Sequence, residues 1–310
     1  MYSSENYLQT YDGILNCPLK ELTLSQMYKH IKRDNYEISL DYMDNIYVKN
    51  KSAKNNILVV AHLDRVLPDV PRLFRYEDEP NHIYGAYGWD DRAGIIAALE
   101  LFANNDIDLL FTTGEESGCL GAKQVNPNKI RQYSLIFELD RHGSHDFIND
   151  CSLGVLCNDD FTNAICYHVG SKGFNLKPTM GVYTDIGALR SINTTAQMFY
   201  MSCGYYHEHT KDEYLIMSEL VSAIEKAQII IDYVNEHPEV VTPFVEPPPK
   251  PKPEKVSTVL PSRQRFSDDD LYYCPHCDTD YYDRELINLK CPYCGGDVEL
   301  LDYGDYDDIV

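Results

Sequence analysis

The chain has 310 residues, 44% apolar and 25% charged, which suffices for one substantial domain and a small appendage. Its net charge of -22 argues against a general affinity for nucleic-acid backbones or anionic membranes, and no run of about eighteen uncharged apolar residues is present to span a bilayer. The start, MYSSENYLQTYDG, has neither the basic end nor the apolar core of a secretory signal, so a cytoplasmic protein is expected.

In chain order, YEISLDYMDNIYVKN (36–50) alternates around Asp44-Asn45 and predicts a hairpin. ILVVAH (57–62), DLLFTT (108–113), SLIFELD (134–140) and TAQMFYM (195–201) are short and apolar on both faces, as strands are in a sheet covered on both sides. Helical spacing marks RAGIIAALELFAN (92–104) and MSELVSAIEKAQIIIDYVNEH (217–237), the second with Ser218 as N-cap and Pro238 beyond its end. The alternation predicts an α/β domain of three layers over residues 1–242, a mostly parallel or mixed sheet covered by helices. Residues 243–270 carry Pro at seven of their first nineteen positions and close on Asp268–Asp270, the composition of an extended, acidic-ended linker.

Cysteine usage agrees with a reducing compartment. Four of the ten Cys form two Cys-x-x-Cys pairs near the end; Cys17, Cys119, Cys151, Cys157, Cys166 and Cys203 are scattered and expected to be small buried hydrophobes. In residues 271–310, Cys274-Pro275-His276-Cys277 and Cys291-Pro292-Tyr293-Cys294 stand thirteen residues apart, which predicts a small β zinc ribbon with one structural Zn2+. A redox pair is the rival, without the βαβ context it needs. Asp or Glu at thirteen positions of 266–310 against two basic residues disfavours nucleic acid, leaving a protein partner or self-association as the expected role.

Carboxylates and imidazoles gather where the apolar runs end, the side on which α/β sheets bind ligands. Strand 57–62 ends in His62-Leu63-Asp64. Gly88-Trp89-Asp90-Asp91-Arg92-Ala93-Gly94 opens a helix. Strand 108–113 runs into Gly114-Glu115-Glu116, strand 134–140 ends in Glu138-Leu139-Asp140, and strand 195–201 leads to His207-Glu208-His209-Thr210-Lys211-Asp212-Glu213. Singly, each piece has an ordinary reading: a loop hydrogen bond, a solvated helix start or an N-cap. Five together in one crevice require a cation to neutralise them.

The order His-x-Asp, Gly-x-Asp-Asp-x-x-Gly, Gly-Glu-Glu, strand-terminal Asp and late His-Thr-x-x-Glu, over roughly residues 50–235, resembles the co-catalytic di-zinc exopeptidases. That group includes leucyl-type zinc aminopeptidases, glutamate carboxypeptidases and amino-acid deacylases. The resemblance implies a first zinc on His62 and Asp140, with Asp64 orienting the imidazole, and a second on Glu116 and His209. Asp90 would bridge the two, its bond to Asp91 often cis in the family. Glu115 would be the general base. Co2+ or Mn2+ are alternatives to zinc as the catalytic pair. His209, followed by Thr210 and four before Glu213, fits the family pattern; His207 does not and is expected at the rim. His82, His142, His145 and His168 match no motif, although His142 and His145 lie near enough to Asp140 to touch substrate.

Relatives that act on dipeptides or acylated amino acids often carry a lid domain. Only 25 residues separate Asp64 from Asp90 and 68 separate Asp140 from His209, too few for such an insertion. The layout therefore favours an aminopeptidase acting on peptides, over a deacylase or carboxypeptidase acting on a small amide. An inactive binding protein recruiting a partner through the ribbon is disfavoured because every ligand position and Glu115 are present. Thr184-Asp185 resembles a pocket-lining stretch of relatives, with a helix N-cap as its plain alternative.

Overall fold

The computed structural model describes residues 9–246 other than 18, 52–55, 68–72, 74–80, 86–87, 152–153 and 193–194, together with 271–274, 279–282, 290 and 298–300. The chain divides into two units, Met1–Glu246 and Pro247–Val310.

Two short helices, α1 (Asp12–Leu15) and α2 (Leu24–Ile31), precede the predicted hairpin, which forms as β1 (Tyr36–Leu40) and β2 (Ile46–Asn50). Between them Asp44 takes a left-handed φ of 62°, and Asp41 accepts the backbone N–H groups of Met43 and Asn45. The expected buried strands are β3 (Ile57–His62) and, after β4 (His82–Tyr84) and helix α3 (Trp89–Asn104), β5 (Asp108–Thr112). Helices α4 (Leu120–Lys123) and α5 (Pro127–Ile130) lead to β6 (Leu135–Glu138), then β7 (Asp146–Cys151), β8 (Gly154–Val155), α6 (Asp159–Ser171), β9 (Lys177–Gly181) and α7 (Asp185–Ser191). The unit closes with β10 (Gln197–Met201), β11 (Tyr205–Tyr206), β12 (Tyr214–Ile216) and α8 (Met217–Glu236).

The large sheet runs β1-β2-β5-β3-β6-β10-β7-β8, with β9 also on β7. Its centre, β5-β3-β6-β10, is parallel and its flanks are largely antiparallel, so the sheet is mixed. Side chains alternate along each strand. Val59, Ala61, Phe137 and Phe199 face one core, shared with α3, α6 and α8, while Leu58, Val60, Ile136 and Met198 face the other, shared with α4 and α7. Stacking of Phe199 on Phe137 and Phe147, centroids 5.1 and 4.5 Å apart, adds about 0.5–1.5 kcal/mol per pair beyond burial. The sheet thus lies between two helical layers.

Some boundaries differ from expectation. Helix α8 begins at Met217, and Ile216 rather than Ser218 is its N-cap. Thr184 is the N-cap of α7, so Asp185 lies inside the helix and its side chain is free for other work. The first residues of the expected linker are held on the domain: Phe244 N–H donates to Thr195, and the Arg190 guanidinium lies 3.9 Å over the Phe244 ring. The first compact unit extends through Glu246. The six scattered cysteines are free thiols, and all but Cys166 are buried. No helix among the described residues is long and apolar enough to cross a membrane.

A second, small sheet has the order β11-β12-β4. In the C-terminal unit, β13 (Leu271–Cys274), β14 (Thr279–Tyr282) and β15 (Glu299–Leu300) form an antiparallel three-stranded sheet. Cys277, Cys291 and Cys294 lie outside the described residues, as does the Cys274 side chain.

Candidate metal centre

The parallel centre of the sheet aims the ends of β3, β5 and β6 at one point. His62 pairs with Thr112 across β3 and β5, and Val60 with Glu138 across β3 and β6. His62, the last residue of β3, is fully buried; its Nε2 lies 2.9 Å from Asp90 Oδ1 and 3.9 Å from Asp140 Oδ1. Its Nδ1 lies 3.4 Å from Asp64 Oδ1. On the other side of Asp90, Oδ2 lies 3.2 Å from His209 Nε2, which is 3.1 Å from Glu116 Oε2. Two groups follow, each with ligand atoms within 4.8 Å of one another: His62, Asp90 and Asp140, and Asp90, Glu116 and His209. Asp90 belongs to both, one oxygen to each.

Asp90 reaches this position because the backbone breaks from helical geometry at the start of α3. The Asp90–Asp91 bond is cis, and neither residue has helical dihedrals. Asp91 turns inward and accepts N–H bonds from Gly94 at 2.9 Å and His62 at 3.3 Å, tying the helix start to the end of β3. Asp64 spans two jobs. Beside its contact with His62, its two oxygens accept the backbone N–H groups of Glu115 and Glu116, at 3.0 and 3.2 Å. It fixes the loop carrying both glutamates.

Charge is poorly balanced. Asp64, Asp90, Asp91, Glu138, Asp140, Asp185 and Glu213 are all buried here, against the cations His62, Arg65 and Arg92. Burial opposes a charge on His62, yet its bonds to Asp64 and Asp90 hold the imidazole well above its usual range. Asp90 and Glu116 push His209 up to about 11. Burial and then Asp90 and Asp91 raise Asp140, and burial and then Asp185 and Asp91 raise Glu138. Glu115 is pushed up to about 8, by burial first and then by Asp185, Asp90 and Glu116 against the pull of His62. Such a cluster of buried carboxylates favours bound positive charge.

The residues present fit a pair of divalent cations. Glu116 Oε1 is buried with no hydrogen-bond partner among the described residues, and both donor sets mix imidazole with carboxylate, the borderline chemistry that suits zinc.

The structure brings His62, Asp64, Asp90, Glu115, Glu116, Asp140 and His209 together, and sends His207 elsewhere, edge-on to Tyr214 at 5.5 Å. His142 pairs with Glu208, at 2.7 Å. Several residues of the site have no role legible in the sequence motifs, Glu213 having marked only the His-Thr-x-x-Glu spacing. Tyr205 donates its hydroxyl to Asp140 Oδ1 at 2.9 Å, and Glu213 accepts the Asp90 N–H at 2.9 Å. The Cys119 thiol donates to Glu115, and the Thr112 hydroxyl to Asp185. Glu138, both oxygens buried without a partner among the described residues, was signalled in sequence by a charge inside an otherwise apolar strand.

Fold and site together give an α/β domain with two adjoining groups of candidate metal ligands that share Asp90. Residues 45–166 match the model of Peptidase family M28, exopeptidases that use co-catalytic metal ions; the match spans His62 to Asp140 and stops short of His209. A curated protein of Emericella nidulans named a probable carboxypeptidase is 31% identical over 105 residues, covering 29% of this chain and 25% of that protein. The chain thus spans about a quarter of the length of that relative. Among solved structures, aminopeptidase PepT from Bacillus cereus is similar with a TM-score of 0.63 at 13% identity, covering 75% of this chain and 99% of that one. A Staphylococcus aureus tripeptidase gives 0.60 at 12%, covering 76% and 100%. An aminopeptidase of the archaeon Desulfurococcus kamchatkensis gives 0.58 at 14%, covering 77% and 97%. At these identities the likeness is one of fold.

Proposed function

We propose that the chain is a metal-dependent aminopeptidase, releasing residues one at a time from the free N-terminus of peptides. The observation that carries this is the Asp90 carboxylate, whose two oxygens face two different imidazoles, His62 and His209. His62, Asp90 and Asp140 would hold one zinc ion, and Asp90, Glu116 and His209 the other. When bound, such a pair polarises the scissile carbonyl and makes the attacking water more acidic.

The chain's own groups do the rest. Asp64 sets the His62 ring and the Glu115–Glu116 backbone at once, so ligand and base keep one spacing. Glu115 takes a proton from the attacking water and delivers it to the peptide nitrogen as the C–N bond breaks, so the amine leaves neutral. In the metal-free chain burial and its neighbours push Glu115 up to about 8; positive charge at the two clusters favours its carboxylate, the form a base needs. Asp185, buried beside this group with one oxygen unpartnered among the described residues, is a candidate wall of the substrate pocket.

Two observations favour the N-terminal direction. The 68 residues between Asp140 and His209 are spent on β7, β8, α6, β9, α7, β10 and β11 with their loops, all within the unit Met1–Glu246, so a peptide can trail from the site. The similar solved structures include proteins named aminopeptidase and tripeptidase. The test is a mass ladder from one decapeptide and its N-acetylated twin, with zinc present. Stepwise shortening of the free peptide alone is expected. Cleavage of the acetylated twin, or trimming from the C-terminus, would favour the carboxypeptidase or deacylase alternative, which the name of the Emericella nidulans relative suggests.

We also propose that the C-terminal unit is a zinc ribbon docking a protein partner or a second copy. Its support is the sequence spacing of the two Cys-x-x-Cys pairs, thirteen residues apart, together with the small antiparallel sheet formed by residues 271–274, 279–282 and 299–300. Loss of one zinc equivalent from a Cys291→Ser, Cys294→Ser double variant, by elemental analysis, tests it.

A further inference from the structure

The hairpin joining β11 to β12 touches three of the residues proposed to hold metal. Its register is Tyr205 opposite Leu215 and Tyr206 opposite Tyr214. At its first base Tyr205, 3% exposed, donates its hydroxyl to Asp140 Oδ1 at 2.9 Å, in the first cluster. At its tip His209 presents Nε2 to Asp90 and Glu116, in the second. At its other base Glu213, 1% exposed, accepts the Asp90 N–H at 2.9 Å, the residue shared by both.

The hairpin is also laced to the loop after Asp140. Gly143 N–H donates to Tyr205 O, Gly204 N–H to Gly143 O, and His142 pairs with Glu208. Its own turn is tightly folded: His207 and His209 both take left-handed φ values, 56° and 65°, and the Thr210 hydroxyl donates to His207 O. A short, internally bonded element anchored at three points moves as a unit. An ion that orders Asp140 therefore also steadies Tyr205, and through the hairpin His209 and the Glu213 contact with Asp90.

We propose that this hairpin fastens the two metal positions to each other, with Tyr205 a positioning residue for Asp140 and Glu213 a positioning residue for Asp90, so that filling one position raises affinity at the other. The proposal rests on the two-cation reading above. Neither residue is a ligand. Tyr205 removes one rotational freedom from the Asp140 carboxylate, and Glu213 fixes the backbone from which Asp90 reaches both imidazoles.

The experiment is a Co2+ titration of the full chain freed of metal by a chelator, followed by calorimetry and visible absorbance. Sulfur-to-cobalt charge-transfer absorption separates any ion taken by the C-terminal cysteines from those taken by carboxylate and imidazole. In the unaltered protein two equivalents are expected to enter the carboxylate–imidazole positions in one unresolved step. Tyr205→Phe deletes a single hydroxyl and is expected to weaken uptake by about 10–100-fold and split it into two steps. Glu213→Gln keeps the shape but weakens the acceptor, and the same splitting is expected. Tyr206→Phe is the control, since its hydroxyl goes to Glu219 and to no ligand; it should titrate like the unaltered chain. Circular dichroism checks that each variant is folded.

Two resolved steps in the unaltered protein would overturn the coupling. Tyr205→Phe and Glu213→Gln titrating as the unaltered chain would overturn both positioning assignments. Equal weakening by Tyr206→Phe would mean that the hairpin lends only general stability, and overturns them too. No uptake by the unaltered chain at these positions is a different failure, that of the two-cation reading itself.

Discussion

Gly94→Ala asks why the Asp-Asp turn ends on a glycine. A Cβ at residue 94 would lie 2.1 and 2.5 Å from the Asp91 carboxyl oxygens and 2.5 Å from the Leu139 carbonyl oxygen, where ordinary contact begins at 3.4 Å. Asp91 must then leave the N–H groups of Gly94 and His62, which it holds at 2.9 and 3.3 Å, in a site where it is fully buried. Leu139 cannot give way without carrying Asp140 with it. Overpacking a dense interior costs about 1–3 kcal/mol. Stranding buried polar groups adds about 1–3 kcal/mol. At about 2–4 °C per kcal/mol for a domain of this size, the melting temperature should fall by about 4–24 °C. A thermal melt followed by circular dichroism reads this, and elemental analysis of the same sample should show less zinc, because Asp90 and Asp140 flank the displaced groups. Gly170→Ala is the control: it lies exposed in α6 with no atom within 4 Å of the added carbon, and should gain up to about 1 kcal/mol. A Gly94→Ala protein melting within about 2 °C of the unaltered chain, with full metal, would refute the packing argument.

Glu115→Gln should keep both active-site metal equivalents yet lose about 100–10,000-fold in turnover, since an amide cannot take the water's proton; metal loss instead would make Glu115 a ligand. Asp64→Asn should weaken zinc uptake about 10–100-fold, measured by competition with a chelator. Stability of the metal-free chain should fall as pH rises. Asp91, Glu138 and Asp140 are raised, and Glu115 is raised to about 8, so their protons favour the folded state below the unfolded value of about 4 and are lost on climbing through the folded values. His62 and His209, also raised, add the same trend above about 6.5. Zinc should therefore raise the melting temperature more at pH 8 than at pH 5.5; an equal gain at both would contradict the charge balance described.

The parallel centre of the sheet was legible because uninterrupted apolar runs such as ILVVAH and DLLFTT have no other stable place than between two helical layers. The metal-ligand candidates were legible for a related reason: each stands where such a run stops. The outer strands were not. Lys177–Gly181 is mostly exposed and carries Pro178, so burial left no periodic mark on it, and Asp146–Cys151 mixes buried and half-buried positions. Helix α6 buries Phe161, Ile165 and Val169 at four-residue spacing, but Asn163, Tyr167 and His168 interrupt the pattern. Tyr205 and Glu213 escaped because their partners lie 65 and 123 residues away in sequence, a separation that leaves no local pattern. Glu213 was visible only as the end of the His-Thr-x-x-Glu spacing, and the fold shows what that spacing achieves.

The most direct test is an anomalous difference map, collected at the zinc edge from a crystal of the full chain grown with zinc. Two peaks are expected, one on each side of the Asp90 carboxylate, the first against His62 and Asp140 and the second against Glu116 and His209. A single peak, or peaks that leave Asp90 unliganded, would contradict the two-position centre.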